Sequence, residues 1–464
     1  MRYTINQKIK SGLLLLVIVF FSFCKKNDYS TPAIVPDASY PQVGTPFTGV
    51  VNSQDAIIYQ VNLRAFSADA SFKGVTAKLD AIKDLGTTVL YLMPVYPVGV
   101  EKSAGGLGSP YSVKDYKGVN TEFGTLADLQ ALVAGAHERN MTVILDWVAN
   151  HTSWDNAWIV NKSWYKLDAK GNIIAPPGTG WTDVAQLDYT NKDMRAAMID
   201  AMKYWVYTAN IDGFRCDAAD FVPFDFWKQA NDALKTITSH KLLMLAEGTR
   251  NDHFKAGFNL VYGMGYYSGL ESKVFGTGAS ATMLQDLNTS EYATSFRGSQ
   301  VVRYTTNHDV YNSDGSPVNL YGGKAGSLAA FVVTAYMKGV PMIYTGQEVG
   351  NTAGMDFFYH TPVNWSQNAD ITAAYKAILN FRKGSDALKN GDLVVMSSDD
   401  VAAFKKSTDK EKVLVIDNLR GNNVTYSLPA TVSTTGWKDA FTGASVTLTN
   451  KIYLQPYRYM VLTQ

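Results

Sequence analysis

From Ala56 to Glu348 the chain repeats one pattern, a short run of apolar, β-branched and aromatic residues followed by a longer stretch of helical periodicity. The runs AIIYQV, TTVLYLMP, MTVILDWV, IDGFRCDA, KLLMLAEG, VVRYTTNHD and VPMIYTGQE read as strands, and stretches such as LADLQALVAGAHERN between several of them read as helices. Strands without polar alternation are covered on both faces, and helices joining them make the sheet parallel. A weaker run near NLVYGM supplies the eighth strand that a closed (β/α)8 TIM barrel needs. A doubly wound open sheet is the alternative. It is disfavoured because no glycine-rich phosphate turn follows the first strand, and because polar residues recur at the C-terminal strand ends, where barrel enzymes keep their chemistry.

The barrel is expected over residues 51–392, with a small excursion domain over 150–190 in the long connection after the third strand. From Leu393 the pattern becomes period-two runs without helices, which predicts an antiparallel β-sandwich over 393–464. At the N-terminus Arg2, Lys8 and Lys10 precede an apolar run from Leu13 to Phe23, with no acidic residue before Asp28. That is a secretory signal, residues 1–24, and about half the length needed to span a bilayer. Cys24 stands where a bacterial lipoprotein signal places its acylated cysteine. Residues 25–50, rich in Pro, Ser, Thr and Gly, then read as a flexible linker. The protein is expected to cross the inner membrane and stay anchored to a bacterial membrane by its lipid, with no other membrane contact.

Charge narrows the partner. Forty-two basic and forty-one acidic residues leave a formal net charge of +1, which gives no long-range field to attract nucleic acid. A neutral ligand suits the 12% aromatic content, whose flat apolar faces and polar edges match sugar rings, although core packing accounts for most of these residues.

In GFRCD, Arg215 and Asp217 stand two apart on one strand and face the barrel interior, while Cys216 faces the helices. A guanidinium beside a carboxylate predicts a lowered pKa for Asp217, as a nucleophile requires. Glu247 ends the apolar strand LLMLAE, where poor solvation predicts a raised pKa suited to an acid, and Gly248 permits a tight turn after it. Two such carboxyls meet the needs of a retaining glycosidase. A third, Asp309, ends the run TTNHD.

These segments resemble, in order, the signatures of the α-amylase family of glycoside hydrolases, family 13: DWVANH (Asp146 to His151), GFRCD, the Glu247 strand end, and NHD (Asn307 to Asp309). The resemblance runs from about Ile57 to the C-terminus. It implies that Asp217 is the nucleophile, Glu247 the general acid/base and Asp309 the transition-state stabiliser. Arg215 would hold the nucleophile, and His151 and His308 would bind hydroxyls of the cleaved sugar. SPYSVKDY resembles the segment whose tyrosine, here Tyr111, stacks on that sugar, and Asp356 falls where some amylases bind the same ring. The substrate class implied is an α-glucan oligo- or polysaccharide.

Three departures shape the expectation. The Lys-His pair that in many relatives contacts the leaving group is replaced by Asp220 and Phe221. Calcium-dependent members carry an acidic ligand near the end of the excursion, where this chain has Gln186; Asn150 remains as one oxygen ligand of a structural Ca2+ that needs six to eight. No cofactor is required for the chemistry. Ser112 follows Tyr111 where exo-acting α-glucosidases often have aspartate, which favours an open cleft and endo cleavage of α-1,4 bonds. An α-glucosidase, a neopullulanase or a 4-α-glucanotransferase would share these residues, and a non-catalytic surface glycan-binding protein is the reading from another class.

Overall fold

The computed structural model describes residues 40–464 except Arg297. The signal segment, Cys24 and the first part of the expected linker lie outside the described residues. Eight parallel strands close into a barrel: β1 Ile58–Val61, β2 Val89–Leu92, β3 Thr142–Val148, β4 Gly213–Asp217, β5 Leu243–Ala246, β6 Leu260–Tyr262, β7 Gln300–Arg303 and β8 Val340–Tyr344. Closure is made by β1 against β8, with Ile58 opposite Met342. The weak eighth candidate is thus a true barrel strand, β6. Inward residues such as Ile58, Val89, Tyr91, Ile144, Leu245, Tyr262 and Met342 fill the barrel, and Phe47, Val50 and Val51 close its base. Outward residues, Cys216 among them, pack against the surrounding helices.

Register sets the site. Across β3 and β4, Asp146 lies opposite Arg215 and Val148 opposite Asp217. Across β4 and β5, Cys216 lies opposite Ala246, so Glu247, the next residue, falls level with Asp217. Gly213 (φ +146°) lets the two strands approach, because a Cβ there would stand 2.0 Å from the Leu243 carbonyl oxygen. The seventh run is shorter than its sequence suggests. It leaves the ladder after Arg303, and the Asn307 side chain accepts from the N–H groups of Asp309 (2.9 Å) and Val310 (3.0 Å). Asp309 therefore stands on a loop at the barrel mouth rather than at a strand end.

After β3 the chain makes its excursion, closed by the hairpin His151–Ser153 with Val184–Gln186. The C-terminal segment forms a six-stranded antiparallel sheet and a two-stranded one, Val424–Ser427 with Lys451–Leu454. One face of the larger sheet packs on barrel helices through Phe404, Val413, Val415 and Val461, and the other on Tyr426, Leu428 and Leu454.

The linker expectation needs correction where it overlaps the described residues. Tyr40 donates to Asp200 (2.7 Å), Val43 N–H to the Tyr207 carbonyl (2.9 Å), and Phe47 stacks on His137 at 4.3 Å. Proline and glycine there shape a strap bound to the barrel, not a free tether.

Glu348, just past β8, is buried with one oxygen accepting from Tyr59 Oη (2.6 Å) and the other without a partner. Burial pushes its carboxyl up to about 7. The folded pKa lies above the unfolded one, so stability is lost as pH rises from about 4.5 towards 7. The penalty above that window is about 3 kcal/mol. Glu348→Gln keeps the tyrosine bond without the charge. Its advantage over the parent in urea denaturation is expected to be near zero at pH 5 and to grow at pH 8; a gap independent of pH refutes this.

Candidate active site

Arg215 is the hub. Its side chain is fully buried, and it reaches Asp146 (2.7 Å) and Asp217 (3.0 Å) through Nη1 and Glu247 (2.9 Å) through Nη2. Burial works against its charge, but Asp146 and Glu247 outweigh that and hold the guanidinium protonated. Asp146 is completely buried and satisfied, with its second oxygen accepting from Tyr91 Oη (2.5 Å) and Tyr111 Oη (3.0 Å).

The expected fall in the pKa of Asp217 does not occur. Burial pushes its carboxyl well up, and although Arg215 pulls it down, Glu247, Asp146 and Asp309 push it up again. Glu247 is raised as expected, by burial and by Asp309, against Arg215 and the Ala218 N–H. Asp309 is raised too, by the partial loss of water around it in the cleft and then by Asp146, against Arg215, although about half of its side chain stays exposed (49%). Neighbouring carboxyls at one guanidinium cannot ionise independently, so their titrations are coupled.

Ala218 adopts a left-handed conformation (φ 42°, ψ 43°), which costs a non-glycine residue about 1 kcal/mol or more. The turn aims its N–H at Glu247 Oε2 (2.7 Å) and fixes that carboxyl beside Asp217.

Tyr111, His151, Asp217, Glu247 and Asp309 line one cleft of about 550 Å³. His308 stands behind it. Gln60 donates to His308 Nδ1 (2.7 Å), which leaves the proton on Nε2 to donate to Tyr111 Oη (2.6 Å), and the two rings stack at 5.3 Å. Burial pushes His151 and His308 down to about 4, so both imidazoles are neutral over the physiological range. Asp356 is not part of the lining: its carboxylate accepts from Phe358 N–H (2.9 Å), and the turn so formed presents Phe357 and Phe358 to the cleft instead.

Asn150 turns its amide nitrogen to His151 Nδ1 (3.2 Å), which leaves its Oδ1 free, and among the described residues no group of three His, Cys, Asp or Glu side chains stands together to hold a metal. Asp188, the nearest acid in sequence after Gln186, is neutralised by Lys166 (2.8 Å).

Residues that sequence reasoning left without a role are Gln60, Tyr91 and Phe357, and with them Asp146, which lies inside a quoted signature. The strand register that brings them together has no local signal, although the aspartate two positions before VANH, on the barrel-facing side of β3, could have been read as a partner for Arg215.

Comparison with known proteins agrees with this geometry. The family description "Alpha amylase, catalytic domain" matches residues 52–170 and 179–428, and "Alpha-amylase SusG C-terminal domain" matches 401–461. The chain is 25% identical to Alpha-amylase 3 of Dictyoglomus thermophilum, over 88% of this chain and 93% of that one. An α-amylase from Lactobacillus plantarum superposes with a TM-score of 0.79 at 27% identity, over 89% and 99% of the two chains. A noncanonic maltogenic α-amylase, AmyB from Thermotoga neapolitana, superposes with a TM-score of 0.77 at 27% identity and the same coverage. With its barrel closed and its acidic cluster gathered at the mouth, the chain belongs to the α-amylase family of glycoside hydrolases, enzymes that act on α-glucans.

Proposed function

We propose that this glycoside hydrolase is an endo-acting α-amylase that cleaves α-1,4-glucosidic bonds in starch-type glucans with retention of configuration. The observation that carries the reading is the bridging of Asp217 and Glu247 by the two arms of Arg215. Contact with one guanidinium gathers the two carboxyls at the same point of the barrel mouth, as the nucleophile and acid/base pair of a retaining enzyme requires.

In the first step Glu247 protonates the glycosidic oxygen while Asp217 bonds to the anomeric carbon. In the second, water attacks that carbon, gives its proton to Glu247, and the bond to Asp217 breaks. The resting cluster suits this order. Burial and Asp309 raise Glu247, as suits a proton donor, and positive charge developing on the sugar favours the ionised form of Asp217 against the burial that raises it. Asp309, open to the cleft, accepts hydroxyl hydrogen bonds that strengthen as the ring flattens. Tyr111, backed by His308, offers the ring face on which the cleaved sugar rests.

Endo action is supported by the apolar side chains that line the cleft together with the carboxyls, Trp181, Phe221, Phe357 and Phe358. Amylose digestion is expected to release large fragments early, as read by chromatography. Glucose alone would mean exo action, and products longer than a maltotriose substrate would mean transfer. The same proposal places the enzyme outside the inner membrane on a lipid attached at Cys24. Cys24→Ser should move it from the membrane to the soluble fraction.

A further inference from the structure

Arg64 carries a buried guanidinium that the chemistry above does not use. It follows β1 closely, its side chain is 1% exposed, and every N–H of its fork has a partner. Nε and Nη2 grip the two carboxylate oxygens of Glu122, at 2.8 Å each. The remaining N–H groups reach backbone carbonyls, Nη1 at Gly108 (2.6 Å) and Phe357 (2.7 Å) and Nη2 at Leu107 (3.1 Å).

Those carbonyls belong to two loops that share the cleft. Leu107 and Gly108 stand in the loop after β2, shortly before Tyr111, and Phe357 stands in the loop after β8. Ser109 and Tyr111 from the first line the cleft together with Phe357 and Phe358 from the second. The loops also touch directly. Leu107 donates its N–H to the Phe358 carbonyl (2.9 Å), and the Phe357 ring stands at 72° to Tyr111 with centroids 6.0 Å apart.

The first loop depends on such outside bonds for its shape. Residues 99–112 contain no helix or strand, and Gly105, Gly106 and Gly108 adopt φ of +116°, +54° and +78°, where glycine is as free as the backbone allows. The second loop is tied to the same point, since Thr361 donates its N–H to the Arg64 carbonyl (3.1 Å) and His360 Nε2 donates to Glu122 (2.7 Å). Burial works against the Glu122 charge, but Arg64 and His360 outweigh it and hold its carboxyl below the usual range. The buried cation is therefore paired, and the bidentate grip fixes the plane of its fork.

We propose that Arg64 is a positioning residue for the cleaved sugar: its fork sets the spacing of the two loops, and with it the placing of Tyr111 and Phe357 against the catalytic carboxyls. The inference rests on the glucan-hydrolase reading above and adds to it a residue outside the cleft lining. Lysine cannot take its place, because an ammonium is a point charge with three donors, whereas the fork spans two loops and a carboxylate at once.

Arg64→Lys is the better test than Arg64→Met, which strands Glu122 without a counterion and threatens the fold. In Arg64→Lys, kcat/KM for amylose should fall about tenfold, since a small misplacement of the bound ring lowers the rate steeply. Amide hydrogen exchange at Leu107 should quicken by about the same factor as its bond to Phe358 loosens. In a Phe357→Ala background the same substitution should lower kcat/KM by about threefold at most, because the loop it acts through has lost its ring. Losses that multiply in the double variant would overturn the positioning role, as would parental turnover or unchanged exchange in Arg64→Lys. A parent inert towards amylose would overturn the functional reading instead, and exchange at Leu107 would still decide whether Arg64 holds the loops.

Discussion

Asp217→Asn is expected to abolish turnover of amylose by about 10⁴-fold or more, and Glu247→Gln to lower it by about 10²- to 10⁴-fold, with glucan binding largely kept in both. The asymmetry follows from their tasks. Without Asp217 no covalent sugar forms, whereas without Glu247 water can still protonate a departing oxygen slowly. In Glu247→Gln the alkaline limb of the pH–rate profile should disappear, because that limb reports loss of the acid's proton. A small anion such as azide, added to Asp217→Ala, should recover part of the rate by attacking the anomeric carbon from the vacated side.

Stability should move the other way. Asp217 is raised by burial and by other carboxyls, so its ionised form works against folding, increasingly so as pH rises towards its folded pKa. Asp217→Asn should therefore melt higher than the parent at pH 8, and the difference should shrink towards pH 5. Near-normal release of reducing ends by either purified variant would refute the assignment of these residues, and a lower melting point for Asp217→Asn would refute the account of the cluster.

Much of this was legible before any coordinates, for definable reasons. Barrel strands are covered on both faces, so they surface in the sequence as unbroken apolar runs, and even three-residue β6 left a trace in NLVYGM. Two-residue spacing brought Arg215 and Asp217 to one face without knowledge of the fold. What failed was whatever depends on a contact between distant segments. The polar capping by Asn307 that ends the β7 run early looks, in sequence, like more strand. The strap at 40–50 has a linker's composition because its fixed bonds are made largely by backbone carbonyls and by Tyr40, Gln42 and Phe47 against partners more than eighty residues away. The pKa of Asp217 was misjudged for the same reason, since one adjacent cation is visible in GFRCD while three further carboxyls arrive from other strands and loops.

Those converging carboxyls make Arg215 the residue on which both stability and chemistry turn. Its guanidinium is buried against Asp146, Asp217 and Glu247, with the rings of Tyr262, Tyr91 and Tyr111 at 5.5 to 5.9 Å around it. Arg215→Met keeps roughly the bulk and removes the charge, leaving carboxyls buried without a counterion, a change that costs about 3–5 kcal/mol in other buried pairs. The loss should depend on pH with a definite sign. Removing the cation raises the folded pKa values further above the unfolded ones, so the variant's deficit against the parent deepens as pH rises through that window and is smaller at pH 5, where the carboxyls can take up protons. Arg215→Lys should recover part of the stability, because an ammonium can still neutralise the cluster, but little of the activity, because a point charge cannot hold Asp217 and Glu247 on two separate arms. Urea denaturation of parent and both variants at pH 5 and pH 8, with amylose hydrolysis alongside, tests all three statements. A deficit equal at the two pH values, or a lysine variant with near-parental turnover, would mean that the guanidinium only fills space.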